Sequence, residues 1–355
     1  MLLDTAGAFE LTHSLPTTRY RGSKRRYASY IAEAFLASGA SEIHDVFGGS
    51  GSVTALADNL HVKSHYNDYY EWTTRCSRAL FLHTYDRSDL VNTLKKISLG
   101  LSRTHAGFIS ETYSKCYFTD RENLELDGLL EVMERTRSER IKDLLFYGIA
   151  QAALLKMPMS MFHRASLKQR LTRVDRKSRN KASWDRPFGA LIREFVEEAV
   201  IYGWQRNLRH TVTKMDALSA IGDIDSDELL FLDPPYINCR GGVPTYGEAY
   251  HFLEGFAQGI SRWQGNLDTS GSHPMFRCQE SSFETPEGWL SGIRMLLDCA
   301  TRGSVVATAR QYDEPGARQM RRMLKDHFKQ VECRKMHAST IFSNAQNGEY
   351  LFLAT

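Results

Sequence analysis

A glycine-rich run, Phe47-Gly48-Gly49-Ser50-Gly51, continues a short strand-like stretch at residues 43–47 and precedes a helix-forming stretch at 52–59. Glycines placed between a strand and a helix let a ligand approach the backbone closely, and the helix N-terminus then presents free N–H groups to it. The run is not GxGxxG, and it is not a P-loop, because no Gly-Lys-Ser/Thr follows. A tight turn accounts for it equally well. Asp68, 21 residues after Phe47, closes the next strand-like stretch, 61–66 followed by Asn67-Asp68. A carboxylate there can accept hydrogen bonds from ribose hydroxyls, or cap the helix that follows.

A second constellation, Asp233-Pro234-Pro235-Tyr236, ends the fully apolar run Leu229-Leu230-Phe231-Leu232. Two successive prolines stiffen the turn and remove backbone donors. What remains is a set of acceptors, the carbonyls and the Asp233 carboxylate, beside Tyr236 as an aromatic plate. That set suits a planar ring bearing an exocyclic amine. A purely structural Pro-Pro turn is the alternative.

The elements that must position these groups alternate between strand and helix at both ends of the chain. Tyr27, Tyr30, Ile31, Ala34 and Phe35 have the spacing of an amphipathic helix, which Ser38-Gly39 ends. With the first constellation this gives a strand, glycine loop, helix, strand and acid in order, the βαβ pattern of a nucleotide-binding sheet. Further strands are expected at 209–214, 229–232 and 304–309, and a helix at 319–328. Two more strands, at about 330–342 and 349–354, flank the turn dipeptide Asn347-Gly348. Residues 264–285 read as a long polar loop. Residues 76–199 show long helical patterns, as at 129–136 and 141–155, without strand alternation, and so read as a helical insertion between 1–75 and 200–355.

The chain has 355 residues, 42% hydrophobic and 25% charged, a balance that excludes a disordered or fibrous chain. No apolar run approaches the roughly 20 residues of a membrane span. The N-terminus lacks a basic region followed by an apolar one, so no secretory signal is expected and the location should be cytoplasmic. Six cysteines lie far apart without a CxxC or Cys/His cluster, which argues for reduced thiols and against a metal site or a disulfide framework. Net charge is only +3, yet Arg164, Lys168, Arg170, Arg173, Arg176, Lys177, Arg179, Lys181 and Arg186 crowd one segment, opposed only by Asp175 and Asp185. Such a run is often a solvated face. Its concentration in a nearly balanced chain points to a polyanion.

Phe47-x-Gly49-x-Gly51 and Asp233-Pro234-Pro235-Tyr236 together resemble the S-adenosylmethionine-dependent amino methyltransferases. Tyr20-Arg21-Gly22-Ser23-Lys24, ahead of the first helix, is similar to a motif of the Dam-type (D12 class, alpha group) DNA adenine-N6 methyltransferases, and the order of the segments matches that family. Residues 179–188, RNKASWDRPF, look like segments of its larger members. The resemblance covers roughly 17–75 and 200–355. It implies an α/β, Rossmann-like methyltransferase fold, with a mostly parallel seven-stranded sheet whose last strand is antiparallel. It also implies that 1–75 and 200–355 form the catalytic domain and 76–199 a helical target-recognition lobe.

By the same resemblance, Phe47, Gly48, Gly49, Ser50 and Gly51 hold the methionine part of S-adenosyl-L-methionine, Asp68 binds its ribose, and Met215 and Asp216 lie beside its adenine. Tyr20 and Lys24 sit between the cofactor and the target pocket, Lys24 belonging also to the catalytic set. Asp233, Pro234, Pro235 and Tyr236 hold the target adenine, Asp233 also facing the cofactor. Tyr250-His251-Phe252-Leu253 resembles the family's H-x-x-L segment too loosely to receive a role. Asp rather than Ser before Pro-Pro-Tyr points to adenine N6 rather than cytosine N4.

The implied reaction methylates N6 of an adenine flipped out of a specific double-stranded DNA sequence and leaves S-adenosyl-L-homocysteine. The nine basic residues would lie on DNA, and a restriction endonuclease could be a partner. Two other readings stay open. RNA adenine-N6 methyltransferases also use Asn/Asp-Pro-Pro-aromatic tetrads, and a catalytically silent protein could bind cofactor and DNA.

Overall fold

Strands that are apolar at every position need cover on both faces, and Leu229-Leu230-Phe231-Leu232 receives it at the centre of a doubly covered sheet. A computed structural model describes residues 15–103, 105–163, 181–206, 210–236, 245–310, 314–337 and 349–355. The first elements are α1 (Ala28–Ser38), β1 (Glu42–Asp45), α2 (Ser52–Asn59), β2 (Lys63–Asp68) and α3 (Glu71–Ser77). Six helices follow: α4 (Arg87–Leu101), α5 (Phe108–Thr112), α6 (Asp120–Arg135), α7 (Glu139–Lys156), α8 (Lys181–Asp185) and α9 (Phe188–Gln205). Then come β3 (Thr211–Lys214), β4 (Glu228–Leu232), α10 (Tyr246–Gln258), α11 (Ile260–Gly265), β5 (Leu267–Asp268) and β6 (Met275–Phe276). The chain closes with α12 (Pro286–Cys299), β7 (Ser304–Arg310), α13 (Glu314–His327), β8 (Val331–Met336) and β9 (Glu349–Ala354).

Seven strands pair in the order β3-β2-β1-β4-β7-β9-β8. The first five run parallel, and β9 is antiparallel to both β7 and β8. This is the sheet the sequence predicts, including its antiparallel last strand. The period of two sorts the apolar residues between the faces. Leu229, Phe231, Val306, Leu351 and Leu353 share a core with residues of α1 and α2, while Leu230, Leu232, Val305, Ala307 and Phe352 share one with residues of α12 and α13. Strand order reverses between β1 and β4, so a crevice opens at their carboxyl ends, where ligands of open α/β sheets bind.

Between β2 and β3, in the segment the sequence reads as an insertion, the elements of the described residues are helices. Its core is continuous with Trp72, Tyr250 and Phe252, so it packs onto the sheet's own helices. Buried Asp143 on α7 reinforces this join by binding Arg75 and Arg78 at 2.8 Å each and His83 at 2.9 Å. Residues 264–285 depart from a simple loop, because β5 and β6 form a two-residue antiparallel ladder anchored by buried Phe276. A ladder that short leaves no periodicity to read. α13 begins earlier than 319, in keeping with a proline in its first turn at Pro315. Cys239, the dipeptide Asn347-Gly348 and, of the basic segment, Arg164, Lys168, Arg170, Arg173, Arg176, Lys177 and Arg179 lie outside the described residues. Where that segment returns, the buried Lys156 ammonium donates to the carbonyls of Trp184 and Arg186 at 2.9 and 2.7 Å, and the Arg186 side chain pairs with Glu194. Among the described residues no helix is long and apolar enough to cross a membrane.

Candidate active site

The crevice is a cleft of about 740 Å³ that takes in Tyr20, Lys24, Phe47 to Ser50 of the glycine loop, Asp68, Met215 and Asp233. Close packing explains the glycines. A Cβ on Gly48 would lie 2.1 Å from the Tyr66 ring, and one on Gly51 would lie 2.4 Å from Phe81, at a φ of +70° that L-residues disfavour. The Gly48 amide donates to the Asn67 carbonyl at 2.8 Å, which ties the loop to β2. No side chain caps α2, so Ser52 and Val53 carry its first amides to the cleft wall.

Asp68 performs both of the roles its position allows. One oxygen accepts from the Tyr70 amide at 3.0 Å and the Thr73 hydroxyl at 2.7 Å, securing the start of α3, and the other accepts from the Gly49 amide at 2.8 Å. Burial raises its pKa, and these hydrogen bonds oppose that rise. The Tyr69 amide adds to them, so the carboxylate is held from several sides where it lines the cleft. Met215 lines the cleft; its carbonyl accepts from the Asn67 amide group and its own N–H donates to Asn67 Oδ1. Asp216 is not among the lining residues. Its carboxylate accepts from the Leu218 amide at 3.0 Å and closes a turn.

Lys24 joins the two constellations. Its ammonium is 3% exposed and stands 2.7 Å from Asp233 Oδ2 and 3.2 Å from Glu349 Oε2, and it donates to the Gly22 carbonyl at 3.1 Å. Burial opposes the charge, but Asp233, Tyr236 and Glu349 hold it protonated with a pKa well above the ordinary lysine value. Asp233 Oδ1 accepts from the Thr308 hydroxyl at 2.7 Å and the Tyr236 hydroxyl at 2.9 Å. The Tyr236 ring carries the Arg310 guanidinium 4.8 Å from its centre. Tyr20 is stacked with Tyr246 and Tyr250, at 5.5 and 5.3 Å between ring centres.

Several groups here escape a motif reading. Asp45 ends β1 with 1% exposure and lines the cleft, yet neither of its carboxylate oxygens accepts a well-formed hydrogen bond. Burial, with Asp233 and Asp68 nearby, pushes its pKa well above the ordinary carboxylate value, while the Phe47 amide and Lys24 pull the other way. Its place at the carboxyl end of a parallel strand, two residues before the glycine loop, was the available signal. Phe283, which meets the Phe47 ring edge-on at 4.9 Å, and Glu284 come from a helical turn that no motif marks. Thr308 and Glu349 come from β7 and β9 and are joined to the site only by sheet register.

The arrangement is a glycine-walled cleft ending in buried acceptors and a pinned lysine. The sequence model of the D12 class N6 adenine-specific DNA methyltransferases matches residues 20–255. The chain belongs to this family. It is therefore a DNA-modifying enzyme rather than an RNA methyltransferase or a silent binder. A comparison with curated proteins found no match. The methyltransferase span runs from Tyr20 through the insertion and the Asp233-Pro234-Pro235-Tyr236 turn, and Thr308, Arg310 and Glu349 lie beyond it.

Proposed function

We propose that the cleft binds S-adenosyl-L-methionine and that the Asp233-Pro234-Pro235-Tyr236 turn receives an adenine extruded from double-stranded DNA. The orphaned oxygens of Asp45 carry this reading. A buried carboxylate without donors is costly unless a cation completes it, and an amino acid's α-ammonium is such a cation. Asp68 lines the cleft as an acceptor for ribose hydroxyls, and the glycine loop allows close approach. Tyr20 and Met215 supply apolar walls. When bound, the cofactor supplies an electrophilic methyl group on a sulfonium.

The amine of adenine is a poor nucleophile because its lone pair is delocalised into the ring. Lys24, Thr308 and Tyr236 occupy three acceptor sites of Asp233 and fix its orientation. The remaining site accepts one N6–H and the Pro234 carbonyl accepts the other, which draws the nitrogen towards sp³ geometry and frees its lone pair. Developing positive charge on nitrogen then meets a carboxylate already in place. The Tyr236 ring, under Arg310 in the free protein, offers the stacking face for the base.

Purified protein, labelled S-adenosylmethionine and unmethylated genomic DNA, with an RNA control, test this directly. N6-methyladenine in the DNA is expected by mass spectrometry, and sequencing the product gives the site that any partner endonuclease would share. No label in DNA while the cofactor still binds would defeat the reading. The insertion, 76–199, is proposed to face the DNA with the basic segment on phosphates. Neutralising Arg176, Lys177 and Arg179 together should lower the slope of log affinity against log salt by about 2 to 3. An unchanged slope would make the run a solvated face.

A further inference from the structure

Glu349 is 7% exposed and opens β9, in line with Leu351 and Leu353, which bury apolar side chains on the same face of the sheet. Register alone would favour a hydrophobe there, because a buried carboxylate loses its hydration. The local hydrogen bonding does not require it either. Lys24 already has Asp233 at 2.7 Å and the Gly22 carbonyl at 3.1 Å, and the Tyr236 hydroxyl already donates to Asp233 at 2.9 Å, nearer than the 3.3 Å to Glu349. Arg310 is the residue opposite Glu349 in the β7–β9 ladder, but its guanidinium lies over the Tyr236 ring, and among the described residues it makes no ion pair with Glu349. Two carboxylates thus share one buried ammonium, the Arg310 guanidinium lying apart over the Tyr236 ring.

We infer that Glu349 is a positioning residue for methyl transfer. By sharing Lys24 it leaves Asp233 a stronger acceptor, and its negative charge attracts a cationic methyl donor more than the neutral thioether product. The inference rests on the assignment of the cleft to S-adenosylmethionine. The α-ammonium is common to donor and product, so Asp45 cannot produce this discrimination. The Glu349 charge favours the donor before transfer and ceases to hold the product after it.

Calorimetric titration of S-adenosylmethionine and S-adenosylhomocysteine into wild-type protein, Glu349→Gln and Glu349→Asp tests this. Wild type should prefer the sulfonium. Glu349→Gln should lower that preference by about tenfold, the scale of one unit charge in a buried site, with thioether affinity within about twofold. Its single-turnover methylation rate should fall by about tenfold or more, while KM for DNA stays within about threefold. Glu349→Asp, which keeps the charge, should recover most of both losses. Equal weakening of the two compounds in Glu349→Gln, or Glu349→Asp behaving like Glu349→Gln, overturns the inference. Equal affinities in wild type overturn it without any variant, should the glutamine protein not fold. Wild type that binds neither compound overturns the cleft assignment and this inference with it, whereas normal methylation with the preference intact in Glu349→Gln overturns this inference alone.

Discussion

Asp233→Ala is expected to lower the methylation rate by about 10³-fold or more, while DNA affinity stays within about threefold. The carboxylate is the hub of the site, receiving Lys24, Thr308 and Tyr236 and keeping one acceptor direction for the amine. Its removal takes away the group that draws the lone pair out of the ring and stabilises the charge appearing on nitrogen. Phosphate contacts generally supply most of the affinity for DNA, and are proposed to come from the basic segment rather than from Asp233. The variant should fold, because Lys24 keeps Glu349 at 3.2 Å and its charge is not stranded. Rapid-quench methylation and a filter-binding isotherm on the same preparation give both numbers. Turnover near the wild-type rate would mean that Asp233 serves only to hold the turn.

The legible parts of this molecule were those where a local rule and the tertiary demand coincide. The helix at 52–59 was readable because three glycines and a strand precede it, and the central strand because four apolar residues in a row must be covered on both faces. Lys24 was placed by its motif, though its bridge to Asp233 was not visible, since the pairing spans the whole insertion. Asp216 shows the converse. Its motif position suggests a place beside the cofactor, whereas the turn its carboxylate closes with the Leu218 amide is a local contact that no motif marks. Thr308 and Glu349 were beyond reach. Their role comes from the register of an antiparallel pair formed by segments 39 residues apart at Arg310 and Glu349, and nothing in either segment announces the other.

Asp45→Asn should change stability and binding in opposite directions. At present the fold carries a buried carboxylate with no well-formed hydrogen bond, and its pKa is raised by burial and by Asp233 and Asp68. A raised carboxylate pKa means that folding favours the protonated form, so ionisation costs stability as pH climbs from the unfolded value near 3.8 towards the folded one. The amide removes that cost. The variant should be more stable at neutral pH by about 1 kcal/mol, a modest gain because the amide's own donors are imperfectly satisfied, and the advantage should shrink as pH falls towards the ordinary carboxylate range. Cofactor affinity should fall by about 100-fold, the scale of removing one partner of a buried charge pair. In wild type, affinity should rise with pH and binding should release a proton, which titrations in two buffers of different ionisation heat would detect. Asparagine protein that is less stable and binds the cofactor normally would place Asp45 among the structural groups of β1. The expected pair of opposite changes would mean that the fold bears a local cost at β1 so that the cleft is ready for a cation before one arrives.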